Sequence, residues 1–270
     1  MKYSFMSFSC PELSLREFLS LAKRIGYDGV EPRVVSQHGH GIETETSATH
    51  RAAFKRLAEE MGVEYACVAT SCRYANPASV AESIEETRRC LDLAADIGAA
   101  RIRVFGGQIG QGLSRESAIA LVADSLAVVA EHAKSRGVTV CMETHDDWCD
   151  PQHVAAVMAR VNHPNIGVNW DVMHPVRTGA ATMREAFETL KPWTRHLHIH
   201  DGEERSLKHT FIGEGAYDHR TAVACLLSVG YDGYLSGEWI GWEVPYEEYL
   251  PRELATMKAY ESECSSRRDG

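Results

Sequence analysis

Six consecutive residues, His196-Leu197-His198-Ile199-His200-Asp201, interleave three imidazoles and a carboxylate with two large aliphatics. In an extended chain successive side chains point to opposite faces, so Leu197 and Ile199 share one face and the three histidines the other. A row of imidazoles needs a partner for every ring nitrogen, so it lines a polar cavity, binds metal or lies in solvent. Other polar groups recur in short runs of similar character: Glu31 with Arg33, Arg103, Glu143 with His145, Asn169 with Asp171 and His174, and Glu238. Several carboxylates converging in one cavity repel each other and lose hydration, which is tolerable when a divalent cation sits between them. Glu143, Asp171, His198 and Glu238 would make a hard, oxygen-rich set. That set suits Mn²⁺, Mg²⁺ or Co²⁺ better than a thiolate-bound zinc site would, with Zn²⁺ left open.

Convergence requires elements that carry these residues to one place. Runs rich in β-branched and aromatic residues predict eight strands, over 3–8, 29–34, 64–70, 101–106, 139–145, 166–172, 196–201 and 233–239. Segments with apolar residues three and four apart lie between them. "SLREFLSLAKRIG" starts at a Ser14 cap and stops at Gly26, and "ASVAESIEETRRCLDLAADIGA" runs up to Gly98. "RIGYDGVE" recurs loosely as "SVGYDGYLSGE", each time ending a helix in Gly and opening a strand through Asp-Gly. Repeated strand–helix units predict a parallel sheet, and eight of them predict an α/β fold closed into a single (β/α)₈ TIM barrel over residues 1–270. The alternative, an open doubly wound sheet, would be favoured by a glycine-rich turn after the first strand; "SFSCPELS" there contains no glycine.

Catalytic groups of such barrels sit at the carboxyl ends of the strands. Alternation puts Cys141, Glu143 and His145 on one face, Asn169 and Asp171 on one face, and Tyr234, Ser236 and Glu238 on one face. A lone strand-end glutamate is more often a salt-bridge partner than a ligand, but here that account must be invoked at four strands. His196, deeper in its strand, is expected to be structural, and His200 to support the site or to touch substrate. His38 and His40, in "SQHGHGIETE", read as solvated or as part of a lid. The aromatic segment "WIGWEVPYEEYL" reads as packing or as a subunit interface, which keeps a homo-oligomer open.

The formal net charge of −10 argues against a nucleic-acid or anionic-membrane partner, since a polyanion is drawn to a basic face. No basic leader precedes an apolar run, and no stretch approaches the ~20 apolar residues that span a bilayer, so a soluble cytoplasmic protein is expected. The eight cysteines are scattered singly rather than at zinc or redox spacings, and read as reduced and structural.

Taken together, these residues resemble the sugar phosphate isomerase/epimerase superfamily, the xylose isomerase-like or AP-endonuclease-type TIM barrels. "GYDGVE", "METH", "NWDVMH", "HLHIHD", "IGEG" and "GEW" carry the likeness by their order and spacing along the whole chain. The resemblance implies a metal held by Glu143, Asp171, His198 and Glu238, so that His198 is the ligand among the three histidines. It implies that His174 binds substrate hydroxyls. The chemistry implied is a metal-dependent isomerase or epimerase acting on a small ketose or related polyhydroxy carbonyl compound through an enediolate. Glu143 and Glu238 would then be the acid/base pair, His174 and Arg103 would orient hydroxyls, and His145, His200 and Asp201 would support the site or contact substrate. Dehydratases of the same superfamily supply a second reading, in which the enolate expels a hydroxyl. A non-catalytic sugar-binding protein is a third. Endonuclease IV shares the motifs, including a histidine matching His209, but its zinc site needs an aspartate where this chain has Leu207.

Overall fold

A parallel sheet of nine strands is wrapped into a nearly closed barrel, seen here in a computed structural model that describes residues 1–266. The strands are β1 (Lys2–Met6), β2 (Gly29–Glu31), β3 (Glu64–Tyr65), β4 (Val68–Arg73), β5 (Arg101–Phe105), β6 (Thr139–Glu143), β7 (Ile166–Asp171), β8 (Thr194–Ile199) and β11 (Tyr234–Gly237). The short strands β9 (Asp201–Gly202) and β10 (His209–Thr210) form a separate antiparallel pair. Around the barrel the order is β3-β2-β1-β11-β8-β7-β6-β5-β4.

The two strands at the ends of that order are halves of one predicted strand. Residues 64–70 were expected to run unbroken, but the chain pairs with β2 through Glu64–Tyr65 and then with β5 through Val68–Arg73. The seam is stitched by Val34 N–H donating to the Ala69 carbonyl (3.0 Å) and Ala69 N–H to that of Pro32 (3.0 Å). Strand two correspondingly stops at Glu31 rather than reaching residue 34, because Pro32 has no N–H to give the ladder. Strand five likewise ends at Glu143, strand eight of the prediction at Gly237, and the fourth and sixth each one residue early.

Strand β8 begins at Thr194, two residues before the predicted His196, and a bulge explains the difference. Val168 is opposite Thr194, whereas Asn169 is opposite His196, so Arg195 is an extra residue. This insertion sets the phase of everything that follows. A Cβ on Gly167 would lie 2.6 Å from Arg195 Cγ and 2.8 Å from the Trp193 carbonyl oxygen, so the close approach requires glycine.

Alternation then divides the walls. Val30, Ile102, Val104, Val140, Met142, Val168, Trp170, Leu197, Ile199 and Leu235 are buried in the apolar layer under the helices. Each such burial contributes about 1.5–3 kcal/mol, which is why the opposite face of every strand can afford polar groups. The helices are α1 (Leu15–Ile25), α2 (Ala48–Met61), α3 (Val80–Ile97), α4 (Arg115–Arg136), α5 (Pro151–Val161), α6 (His174–Arg177), α7 (Met183–Leu190), α8 (His219–Ser228) and α9 (Tyr246–Ser266). Ser14 caps α1 in a reciprocal box with Glu17, and Gly26 and Gly98 end α1 and α3 in left-handed geometry, as the punctuation predicted. Among the described residues no helix is long and apolar enough to cross a membrane. The eight cysteines are all free, and seven are buried.

Candidate metal centre and adjoining pocket

Glu143 closes β6, Asp171 closes β7, His198 lies in β8 and Glu238 follows β11. Register brings them together: Asp171 is opposite His198, and Ser236, two residues before Glu238, is opposite His198 on the other side. The four offer one ligand atom each, all within 4.8 Å of one another. His198 directs Nδ1 at Glu143 Oε1 (2.6 Å) and Glu238 Oε2 (3.0 Å).

The other nitrogen of His198 faces a residue that the sequence reading noticed but did not place in the site. Glu31 Oε1 lies 3.1 Å from His198 Nε2, while its Oε2 meets His196 Nε2 (2.9 Å) and accepts from Ser236 Oγ (2.7 Å). Burial alone would raise the Glu31 carboxyl, but His198 and His196 outweigh it and hold the group well below the usual range. An ionised Glu31 can only accept, so Nε2 keeps a proton, and Nδ1, which faces Glu143 and Glu238, is the nitrogen that an ion could take in exchange for its proton. The signal that could have revealed Glu31 was its parity: it lies at the end of β2 inside a barrel whose other inward strand-end residues are polar.

Each remaining member of the set is braced in the same way. Asn169 Nδ2 donates to Glu143 Oε1 (3.1 Å). Asp171 Oδ1 accepts from the N–H groups of Met173 (2.9 Å) and His174 (3.1 Å), and its Oδ2 lies 2.9 Å from His200 Nε2. Burial would raise Asp171, yet His174 and His200 pull it far down. Glu238 is held at about 2: burial opposes ionisation, but His198 and then Arg103 overcome it. For His198 itself burial disfavours the cation, and Glu238, Glu31 and Glu143 reverse that and raise it well above the ordinary value.

The residues fit a divalent cation on two counts. One oxygen of Glu143, Oε2, is buried with no hydrogen-bond partner. Four carboxylates, Glu31, Glu143, Asp171 and Glu238, surround His198 with Arg103 as the guanidinium beside two of them, and a hard cation among them would relieve their mutual repulsion.

Above this set lies a cavity of about 260 Å³ lined by His145, His174, His200, Leu207, His209, Glu238 and Ile240. His174 opens α6, and its ring stacks edge-on against His145 (4.7 Å) and His200 (5.7 Å). His200 lies beyond the end of β8, so it leaves the row of three and turns toward Asp171. His196, expected to be structural, is buried with Nε2 2.9 Å from Glu31 Oε2, and Glu31, His196 and His198 form a second group whose ligand atoms lie within 4.8 Å of one another. His145, beyond the end of β6, is held by Asp146 (3.0 Å).

Two expected residues are not at the cavity. Arg103 is only 1 % exposed and reaches the carboxylates instead, with Nε 3.4 Å from Glu143 and an Nη 3.7 Å from Glu238. Asp201 faces the following loop, accepting from the N–H groups of Gly202 (2.8 Å), Gly213 (2.9 Å) and Gly215 (3.2 Å), and so anchors the segment carrying Leu207 and His209. Nor is His40 solvated: it is buried and stacked on Phe18, with Nδ1 accepting from Ile42 N–H. His38 is half-buried against Ser7 Oγ (2.9 Å). The aromatic segment after β11 packs inward, Trp242 meeting Tyr249 (4.7 Å), Phe211 (4.9 Å) and His209 (5.9 Å), so it buttresses the cavity wall.

Fold and site together define a parallel α/β barrel that gathers buried carboxylates and imidazoles at the carboxyl ends of its strands. Residues 19–260 match the family described as "Xylose isomerase-like TIM barrel", and the chain belongs to that family. It is 23 % identical to 3-dehydroshikimate dehydratase of Bacillus anthracis, covering 89 % of this chain and 91 % of that protein. With L-ribulose-5-phosphate 3-epimerase UlaE of Salmonella paratyphi C the identity is 24 %, over 83 % of this chain and 81 % of the other. A solved structure of L-ribulose 3-epimerase superposes with a TM-score of 0.82 at 17 % identity, covering 99 % of this chain and 97 % of that one.

Proposed function

We propose that the protein is a divalent-metal-dependent isomerase or epimerase of a small ketose or related polyhydroxy carbonyl compound. The observation that carries this reading is the pairing of Glu143 and Glu238 on either side of His198 Nδ1, at 2.6 and 3.0 Å, under a cavity open to a small molecule. Glu143, Asp171, His198 and Glu238 would hold Mn²⁺, Mg²⁺, Co²⁺ or Zn²⁺. When bound, the ion would polarise the substrate carbonyl and make the adjacent C–H acidic.

One glutamate removes that proton, leaving an enediolate, and the other returns a proton to the opposite face or to the neighbouring carbon. His174 and His200 line the cavity and orient hydroxyls. His200 and Asn169 fix the carboxylates through hydrogen bonds, and the Arg103 guanidinium sets its charge between Glu143 and Glu238.

A second reading, dehydration, is favoured by the likeness to a dehydratase along nearly the full chain. The same proton is removed, but a β-hydroxyl then departs as water, taking a proton from a neighbouring group such as His145. One experiment separates the two. The Mn²⁺-loaded protein is incubated with ketoses and cyclic polyhydroxy ketones in D₂O; solvent deuterium in recovered sugar supports the first reading, a new conjugated-carbonyl absorbance supports the second, and neither result on any compound would remove both.

A further inference from the structure

The stretch of barrel wall formed by β4 and the chain just after β2 carries two arginines, Arg33 and Arg73, that the candidate metal site leaves unused. Arg33 is only 9 % exposed, and its guanidinium donates to the carbonyls of Val34 and Ala69 and to Ser71 Oγ. Among the described residues it has no carboxylate partner, and a buried cation without one is costly. Burial, and then the neighbouring Arg103, depress it to about 10.

Ser71 and Arg73 follow Ala69 on β4 in steps of two, and both are exposed. Arg73 also makes no ion pair among the described residues. Its guanidinium stands 5.6 Å from the Phe105 ring, whose other neighbours are Arg103 (4.1 Å) and His145 (4.9 Å). A hollow of about 290 Å³ is bounded by Arg73, Asn76, Ser79, Gln108 and Asp146. Its one acidic wall, Asp146, is bound by His145, which also lines the cavity over the candidate ligands, and also feels the charge of Arg73 without pairing with it. The hollow abuts the amino end of α3, where the helix dipole adds positive potential. Lys208, the other cation near the mouth in sequence, is neutralised by Glu203 at 2.7 Å.

We propose that the substrate carries an anionic group, a carboxylate or a phosphate, that docks on Arg73 in this hollow within the field of Arg33, while its reacting carbon lies in the imidazole-lined cavity next door. The inference rests on the proposed function, since it takes that cavity as the reaction site. A planar guanidinium that makes no ion pair among the described residues suits either anion, and both present two oxygens to its fork.

The test titrates the Mn²⁺-loaded full chain with L-ribulose, L-ribulose 5-phosphate and shikimate by calorimetry. At least one anionic probe should bind ~10-fold or more tightly than L-ribulose, a difference that shrinks with added salt and falls to ~2-fold in Arg73→Gln. A preference for the phosphorylated sugar identifies a phosphate; a preference for shikimate identifies a carboxylate. Equal binding of all three, no binding of either anion, or a preference that survives Arg73→Gln would overturn the proposal. Turnover is followed separately. Anion preference without deuterium exchange or dehydration would remove the proposed activity and keep the anion site, whereas turnover of neutral ketoses without anion preference would do the reverse.

Discussion

Glu31 and His198 are joined across the barrel interior by a 3.1 Å contact that decides which nitrogen of the imidazole is left for a metal. Glu31→Gln keeps the size and can still meet Nε2, but it removes the negative charge that makes His198 a strong donor. Metal affinity should fall ~10–100-fold, as is usual when the group behind a ligating histidine is altered. A Mn²⁺ titration of the folded variant checks this, and an unchanged affinity would dissociate Glu31 from the site.

The three histidines of "HLHIHD" should separate by readout. His198→Ala should lower metal affinity at least ~10-fold. His196→Ala leaves Glu31 short of one buried partner and should cost about 1–3 kcal/mol of stability with a smaller effect on metal. If His200→Ala proved the worst of the three for Mn²⁺ binding, the assignment of β8 would be wrong.

Asp171 has both oxygens committed, to two backbone N–H groups and to His200. Asp171→Ala should therefore lose metal and activity while keeping the barrel's circular dichroism. Stoichiometric metal by elemental analysis of that variant would contradict the proposed ligand set.

Glu238→Gln keeps a carbonyl oxygen for the ion but removes the base. Turnover should slow by at least ~10²-fold, the lower end of general-base effects, with metal still bound. In D₂O one of Glu143→Gln and Glu238→Gln should still exchange the substrate proton without completing inversion; full epimerisation by both would sink the two-base mechanism.

A stability prediction concerns Glu253 of α9, buried beside the loop that Asp201 anchors. Burial is the main cause that raises its carboxyl to about 8, against the N–H of Ile212, which lies 3.1 Å away and favours the ion. Asp201 and Glu214 push the same way as burial, and Arg252 opposes them. Its folded value exceeds its unfolded one, so the folded chain holds a proton that the unfolded chain has lost. Stability from this group is complete below the ordinary carboxylate value of 4.5 and is lost as the pH rises through about 8. The loss should be on the order of a few kcal/mol. Urea unfolding across this range should show the decline in the parent and a flatter profile in Glu253→Gln; parallel profiles would refute it.

Much of this was legible in the chain itself. Alternation of strands and helices foretold the barrel, and parity within strands foretold that Glu143, Asp171, His198 and Glu238 would face inward, because side-chain direction is a local property of an extended backbone. Helix ends at Ser14, Gly26 and Gly98 were legible for the same reason. Which groups then meet across the barrel is not local. The partnership of Glu31 with His196 and His198 spans residues far apart in sequence, and Arg103 turned to the carboxylates because the two charges nearest its buried guanidinium are theirs. Asp201 was claimed by the N–H groups of a loop that returns only after β10. The split third strand and the extra residue at Arg195 were set by closure, since eight strands of unequal length must meet at one seam while keeping every inward residue in phase. The sequence alone thus determined what chemistry the strand ends could hold; tertiary structure decided which residue braces which, because those choices depend on distances that only the closed barrel creates.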